Sequence, residues 1–428
     1  MKLFTALGPG DIVAAHRAQL SGDATAGETS IIFSGQVVEF CQAQGIELLA
    51  LSCNQRRDTI QDGRSQLENR PRWCEKCSGV RYHLSRIWYA VYLAMRAWRF
   101  GADLAVIDSG TAHYFAFALF GFFQIPVAIN FHNTLWPNGF EPKGRIARLI
   151  LALDAWFFRH VAFGTAGVSP ECGRQVRQLA GSQVPYLEYR TQYRCEEFQF
   201  RRADSDRNPF RVIYVGRIER NKGVFDIAAI AQSLRGRSRG RISFDLCGHG
   251  GALQELRAIV AKQGLDDVVH VHGRVPRSKL FELLERAHAV IVPTRSDFCE
   301  GLPAVCAEAV LCGLPIVTSR LSNALPLLSP AIMEAEPENI ESFASAVLRL
   351  TEDRDKYDEL SRACPGLAQQ FCDRSQSYPA ALDRLISTRF PQWRRLTSYD
   401  AVFARLGRCT QGSPITATEG EHESGRIR

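Results

Sequence analysis

Short apolar runs alternate with amphipathic stretches through the first half of the chain. IELLALSC (46–53), ADLAVID (102–108) and PVAINF (126–131) are continuous apolar runs of strand length, the pattern of parallel strands buried on both faces. Helical stretches separate them. The opening MKLFTALGPGD reads as a first strand stopped by Gly-Pro-Gly, with too short an apolar run for the core of a secretory signal. The most apolar region, YFAFALFGFFQIPVAINF, is interrupted by Gln124 and Pro126 before it reaches the ~20 residues a spanning helix needs. It predicts a buried helix followed by a buried strand, in a chain that does not span a membrane.

The second half is more regular. RVIYV (211–215), ISFDLC (242–247), VVHVH (268–272) and AVIVP (289–293) are each followed by a loop and a helical pattern, beginning near Gly223, near Ala252, at 278–287 and after EGLP. Strand, loop and helix repeated in this way predict a doubly wound parallel sheet with ligands at the carboxyl ends of its strands. QFRRADSDRNP (199–209) is polar and turn-rich, which puts a boundary near residue 206. The expected organisation is α/β: a Rossmann-like domain over 1–206, a second over 207–371, a segment over 372–406 packing across the domains, and a disordered tail over 407–428.

DFCEGLPAVCAEAVLCGLPIVTS (297–319) departs from this apolar rule at two places, Glu300 and Glu308. Pro303 and the pair Gly313 and Pro315 bound a helix over 303–312 that is apolar nearly all round, hence buried. Glu300 lies in the loop before it and Glu308 within it. A buried carboxylate without a partner costs several kcal/mol. For Glu308 two partners fit: an arginine or a set of backbone amides, or a ligand diol such as a ribose, whose two hydroxyls one carboxylate can accept. Arg217 and Lys222 in VGRIERNKG follow the first strand of this half, and the EGLP loop offers amides at a helix N-terminus. Together these groups suit a diphosphate without a metal, although two basic residues in a loop are also what a solvated surface carries.

Length and charge leave this picture standing. With 428 residues, 46% hydrophobic and 23% charged, the chain is long enough for two cores. A net charge of +7, nearly all arginine, permits phosphate-bearing ligands or an anionic membrane and gives no case for nucleic acid. Thirteen cysteines scattered through apolar runs predict reduced thiols and a cytoplasmic protein.

VGRIERNKG, the GHGG turn, HVHGRVPRSKLFELLERAHAVIVPT and the spaced pair Glu300 and Glu308 together resemble the donor domain of retaining glycosyltransferases of the GT-B fold, in particular glycosyltransferase family 4. The similarity runs over residues 210–320. It implies a metal-independent, hexosyltransferase-type enzyme that needs no cofactor and takes a nucleoside-diphosphate sugar as donor. By the same resemblance, Glu308 holds the ribose hydroxyls and Glu300 lies beside the transferred sugar. Arg217 and Lys222 would grip the diphosphate, assisted by the amides of Gly301 and Leu302. His132, ending a first-domain strand in NFHN, would contact the sugar, and the turn carrying Gly10 would approach the phosphates from across the cleft. The implied acceptor is a saccharide or a lipid-linked sugar of the cell envelope, met at the inner face of the membrane. RLSNALPLLSP after IVTS departs from the family's Gly-Gly turn, which bears on the sugar contacts.

Other signals carry less. Cys74 and Cys77 form a lone CxxC, read as two incidental thiols in a loop because no set of zinc ligands completes it. Asp204/Asp206 and Asp353/Asp355 follow no buried strand, so no metal role is assigned. The alternative is another enzyme class on a similar scaffold, a sugar-nucleotide epimerase or a dinucleotide-dependent enzyme, the latter suggested by the lone G-x-G of GHGG, and a non-catalytic subunit is a third reading. Residues 81–101 and 144–160 mix arginine, tryptophan and aliphatic residues at helical spacing. They are ordinary core-facing helices or a peripheral contact with an anionic membrane.

Overall fold

The computed structural model describes residues 1–21, 29–75, 77–198, 208–237 and 242–407. The boundary expected near 206, the Asp204/Asp206 pair and the tail beyond 407 lie outside the described residues. Eight strands form the first sheet: Lys2–Leu7 (β1), Glu47–Ser52 (β2), Asp58–Asp62 (β3), Ser65–Asn69 (β4), Leu104–Asp108 (β5), Val127–Phe131 (β6), Ala162–Gly167 (β7) and Tyr186–Glu188 (β8). Their order is β3-β4-β2-β1-β5-β6-β7-β8, and only the β3/β4 pair is antiparallel. Six parallel strands form the second: Phe210–Val215 (β9), Ile242–Cys247 (β10), Val269–Gly273 (β11), Ala289–Val292 (β12), Ile316–Thr318 (β13) and Ile332–Glu334 (β14), in the order β11-β10-β9-β12-β13-β14.

The apolar runs lie where their pattern puts them. β5, β6, β10 and β12 are buried at every position, as strands covered on both faces must be. Each sheet has a hydrophobic cluster on either face, which makes both domains doubly wound. The β3/β4 hairpin escaped the sequence reading because DTIQD alternates half-buried and exposed positions without an apolar run. The predicted buried helix in the 114–125 region is a short 3₁₀ turn, Tyr114–Phe117, followed by the helix Ala118–Phe122. Phe117 and Phe120 are in the core, but Phe122 is 81% exposed. No helix among the described residues is long and apolar enough to cross a membrane.

After the second sheet the chain returns to the first. The helix Tyr378–Arg389 and residues of the last helix, Asp400–Gly407, join the cluster on one face of the first sheet. Asp383, fully buried there, accepts hydrogen bonds from Trp393 Nε1 (2.6 Å), the Leu396 amide (2.9 Å) and Tyr399 Oη (2.9 Å). Three donors offset the cost of burying its charge and fix the terminal segment in place. Cys74 is bonded to Cys77 and Cys195 to Cys372, where free thiols were expected for all four.

Candidate active site

In each sheet the strand order reverses beside its first strand, between β1 and β5 and between β9 and β12. Loops leaving the carboxyl ends of such strands part to opposite faces and leave a crevice. Arg217 and Lys222 follow β9, and Glu300 follows β12, so these second-domain residues singled out from sequence flank one crevice. Lys222 Nζ lies 2.6 Å from Glu300 Oε2, and the two side chains are only 14% and 8% exposed. Thr294 Oγ1 donates to the same carboxylate oxygen at 3.3 Å. Gly223 is what lets the Lys222 loop close on β12. Its φ is +72°, and a Cβ there would stand 2.0 Å from the Pro293 carbonyl oxygen.

Phe298 supplies a floor for both cations. Lys222 Nζ is 3.9 Å and the Arg217 guanidinium carbon 5.2 Å from its ring centroid, within reach of the ring's negative face. Arg217 is half exposed and pairs with Glu219 at 3.1 Å, so it stands at the rim while Lys222 lies inside. The helix expected over 303–312 runs Ala304–Cys312, with Pro303 as its cap. Gly301 and Leu302 immediately precede it, where the partial positive charge of a helix N-terminus favours an anion.

Glu308 is buried within that helix, as its apolar surroundings require. Among the described residues, neither an arginine nor a backbone amide meets it. The Thr29 hydroxyl, from the first domain, donates to Oε1, and Oε2 has no partner among the described residues. Burial pushes its carboxyl up to about 7, against the opposing effect of the Thr29 hydrogen bond.

The opposite wall comes from the first domain. His132, just past β6, has Nε2 3.0 Å from Asp108 Oδ2 at the end of β5. Asn130 Nδ2 donates to the other Asp108 oxygen at 2.7 Å, and the Phe33 ring packs edge-on to the imidazole at 4.5 Å. Burial works to lower the pKa of His132, but the charge and hydrogen bond of Asp108 outweigh it and raise the value above the ordinary one. Asp108→Asn should therefore bring the His132 titration midpoint down, since burial then acts unopposed, as followed by the imidazole proton shifts in NMR. A midpoint that did not move would show that Asp108 does not control this histidine. Gly10, with Gly8 and Asp11, lines a pocket of about 260 Å³ that also includes Asp108 and His132.

The two walls touch through main chain. The Glu300 carbonyl accepts from Thr134 N (3.4 Å), Thr134 Oγ1 (3.0 Å) and Asn323 Nδ2 (2.6 Å). A Cβ on Gly301 would lie 1.8 Å from the His132 carbonyl oxygen, so only glycine allows this approach. Lys222, Glu300 and His132 are thus brought to one interdomain junction, with Glu308 on the helix behind it, Arg217 at the rim and Gly10 on the far side of the His132 pocket. Six contributors were not singled out from sequence: Thr29, Asp108, Thr134, Thr294, Phe298 and Asn323. Asp108 had a signal, as the one carboxylate closing ADLAVID. Asn323 lies in the segment that departs from the family's Gly-Gly turn. Its φ of 57° is left-handed, a conformation asparagine tolerates, and this turn is what aims its amide at Glu300.

Residues 196–365 match the family model of glycosyl transferases group 1. A glycogen synthase of Mycobacterium tuberculosis is 24% identical over 276 residues, and the match covers 63% of this chain and 64% of that protein. Among solved structures, a sucrose-phosphate synthase from Thermosynechococcus elongatus superposes with a TM-score of 0.66 at 15% identity, over 91% of this chain and 99% of that one. Anabaena HepE, in complex with UDP and glucose, superposes with a TM-score of 0.59 at 15% identity over the same shares. Over residues 196–365 the chain is similar to the glycosyl transferases group 1 family, and its two domains have the GT-B fold.

Proposed function

We propose that this chain is a retaining, metal-independent glycosyltransferase that moves a sugar from a nucleoside diphosphate to a hydroxyl of a saccharide or lipid-linked acceptor in cell-envelope synthesis. The observation that carries the reading is the buried Lys222–Glu300 pair at the switch point of the second sheet, next to Gly301, which abuts the His132 main chain across the interdomain junction. In the reaction the bond from the anomeric carbon to the diphosphate breaks and a new glycosidic bond forms to the acceptor oxygen. The acceptor proton passes to the departing phosphate. Charge builds on the diphosphate as it leaves, and Lys222, Arg217 and the amides of Gly301 and Leu302 are the groups placed to meet it. Two cations and a helix N-terminus at this point supply the role a metal ion would otherwise fill. Glu300, tied to Lys222, suits holding the sugar better than attacking it as a free nucleophile. His132, kept cationic by Asp108 to higher pH than usual, suits hydrogen bonding to the sugar or its phosphate.

The dinucleotide alternative loses its one support. A Cβ at Gly248 would lie 1.7 Å from the Gly216 carbonyl oxygen, and one at Gly250 would lie 2.3 Å from that of Ile218. These glycines are explained by loop packing against the chain after β9, with no cofactor required.

Calorimetric titration with UDP, GDP, ADP and NAD tests the donor site. One nucleoside diphosphate should bind at least about tenfold more tightly than the others, with UDP, the nucleotide held by the Anabaena neighbour, the first to try. Binding of NAD alone, or of none of the four, would sink the transferase reading.

A further inference from the structure

We infer that the outer face of the first domain's helical layer is a docking surface for an anionic lipid bilayer. Three helices, Gly79–Phe100, Ala118–Phe122 and Arg145–His160, contribute to a single core cluster on one face of the first sheet, and the Trp98 and Phe123 rings stack at 5.5 Å where the first two meet. Their inward faces are satisfied by that core. Their outward faces are apolar. The first helix exposes Val80, Leu84, Trp88, Met95 and Trp98, the second exposes Phe122, and the third exposes Ile146, Leu149, Leu153 and Trp156. In the first and third helices these residues recur at spacings of three, four and seven, which lines them up as a stripe on each helix.

Two features of the molecule make this surface more than scattered exposure. Among the described residues, every large apolar side chain that is exposed lies at or before Trp156, and none belongs to the second domain. Monomeric proteins keep such concentrations small unless something covers them. The charge around the stripes then selects what covers them. The helix Gly79–Phe100 has no acidic residue and exposes Arg81 and Arg99, while its Arg86 and Arg96 are half-buried against the Gly110 carbonyl and Glu68. The helix Arg145–His160 carries Arg145, Arg148 and Arg159, and its single carboxylate, Asp154, is buried and accepts from the Phe115 amide. Exposed arginines beside tryptophan and leucine, without exposed acid on the same helices, match the interface of a bilayer with negative headgroups. A protein partner or a second copy would have to bring its own acidic rim, which these helices lack.

Beside the middle of the 79–100 stripe, Trp73 and Trp88 join Arg57, Arg70 and Arg72 around a pocket of about 380 Å³. Arg72 reaches from it to the carbonyls of Gly110 and Thr111, in the loop just after Asp108. The docking face therefore adjoins the loops that carry the Asp108–His132 pair, as a surface delivering a lipid-linked acceptor would. This last step rests on the transferase reading, whereas vesicle binding itself does not.

Co-sedimentation of the full chain with vesicles tests the surface. Vesicles of phosphatidylcholine and phosphatidylglycerol in equal parts should bind at least about tenfold more tightly than pure phosphatidylcholine, and 0.5 M salt, chosen as roughly several times physiological strength, should weaken the binding. Replacing Trp88, Trp98 and Leu149 together by serine should reduce binding by about tenfold or more and leave nucleotide binding unchanged. Arg81→Glu with Arg148→Glu, which leaves the apolar face intact, should reduce it comparably and stands in if the triple variant does not fold. Equal binding to both vesicles, or variants that bind as well as the parent, would overturn the assignment. So would sedimentation velocity showing a dimer that the triple variant splits. Loss of nucleotide binding in the calorimetry above, with vesicle binding intact, would remove the transferase reading and leave the docking surface standing.

Discussion

Lys222→Ala is expected to lower the turnover of sugar transfer by about a hundredfold or more, the usual effect of removing one preorganised donor aimed at charge that develops in the transition state. The expectation is firmer than composition would make it, because Lys222 is held on three sides. Glu300 lies 2.6 Å from its Nζ, the Phe298 ring is beneath it, and the Gly223 turn fixes the backbone behind it. A lysine free in solvent would lose rotamer freedom on meeting a diphosphate; this one has already lost it. The substitution has a second effect that must be separated from the first. It leaves Glu300 buried without its cation, which costs about 3–5 kcal/mol of stability where such a pair is broken. Lys222→Ala combined with Glu300→Gln removes that orphaned charge. The double variant should recover much of the thermal stability and none of the turnover. Steady-state kinetics beside thermal melts of the single and double variants make the comparison, and a folded Lys222→Ala protein with near-normal turnover would remove the mechanism proposed here.

The parts of the fold written in continuous apolar runs were legible from the chain. β5, β6, β10 and β12 are nearly the segments their pattern outlines, and the helix after EGLP starts one residue late. The β3/β4 hairpin was not, because a half-exposed edge strand has no apolar run to announce it. The site divides along the same line. Arg217, Lys222, Glu300 and Glu308 follow strands of one sheet at short range, so position along the chain already suggests proximity. Thr29 is 279 residues from the Glu308 it caps, and no local pattern encodes that meeting. Asn323 was visible only as a departure from a resemblance, and its left-handed turn gives the departure a purpose. The paired cysteines were misread for a similar reason: Cys195 and Cys372 are 177 residues apart, and scatter through the sequence concealed their approach.

Glu308→Gln should make the protein more stable at pH 8 and at the same time weaken nucleotide binding by about tenfold or more. The first half follows from burial. The carboxyl of Glu308 titrates near 7 in the folded chain against 4.5 for an ordinary glutamate. Between those values the folded state holds a proton that the unfolded state has released. The stability this gives is present in full below about 4.5 and is lost as pH rises through 7. By pH 8 the loss amounts to about 3 kcal/mol, at roughly 1.36 kcal/mol for each pH unit between the two values. Glutamine keeps an acceptor for the Thr29 hydroxyl and never ionises, so the variant escapes the loss. Its melting temperature should exceed the parent's by several degrees at pH 8 and match it at pH 5. The second half follows from the proposed contact of Glu308 with a ribose diol. An ionised carboxylate accepts both hydroxyls of a ribose, each such bond contributing ~1.5–3 kcal/mol, whereas an amide can accept at only one of its two positions. A diol ligand should therefore bind the parent more tightly as pH rises through 7, the same interval over which the empty protein loses stability, and the variant should lack that pH dependence. A carboxylate buried for packing alone would show the stability effect without the binding effect. Melts and calorimetry on the same two proteins at pH 5 and pH 8 separate the cases, because packing alone gives no reason for nucleotide affinity to follow the ionisation of this carboxylate.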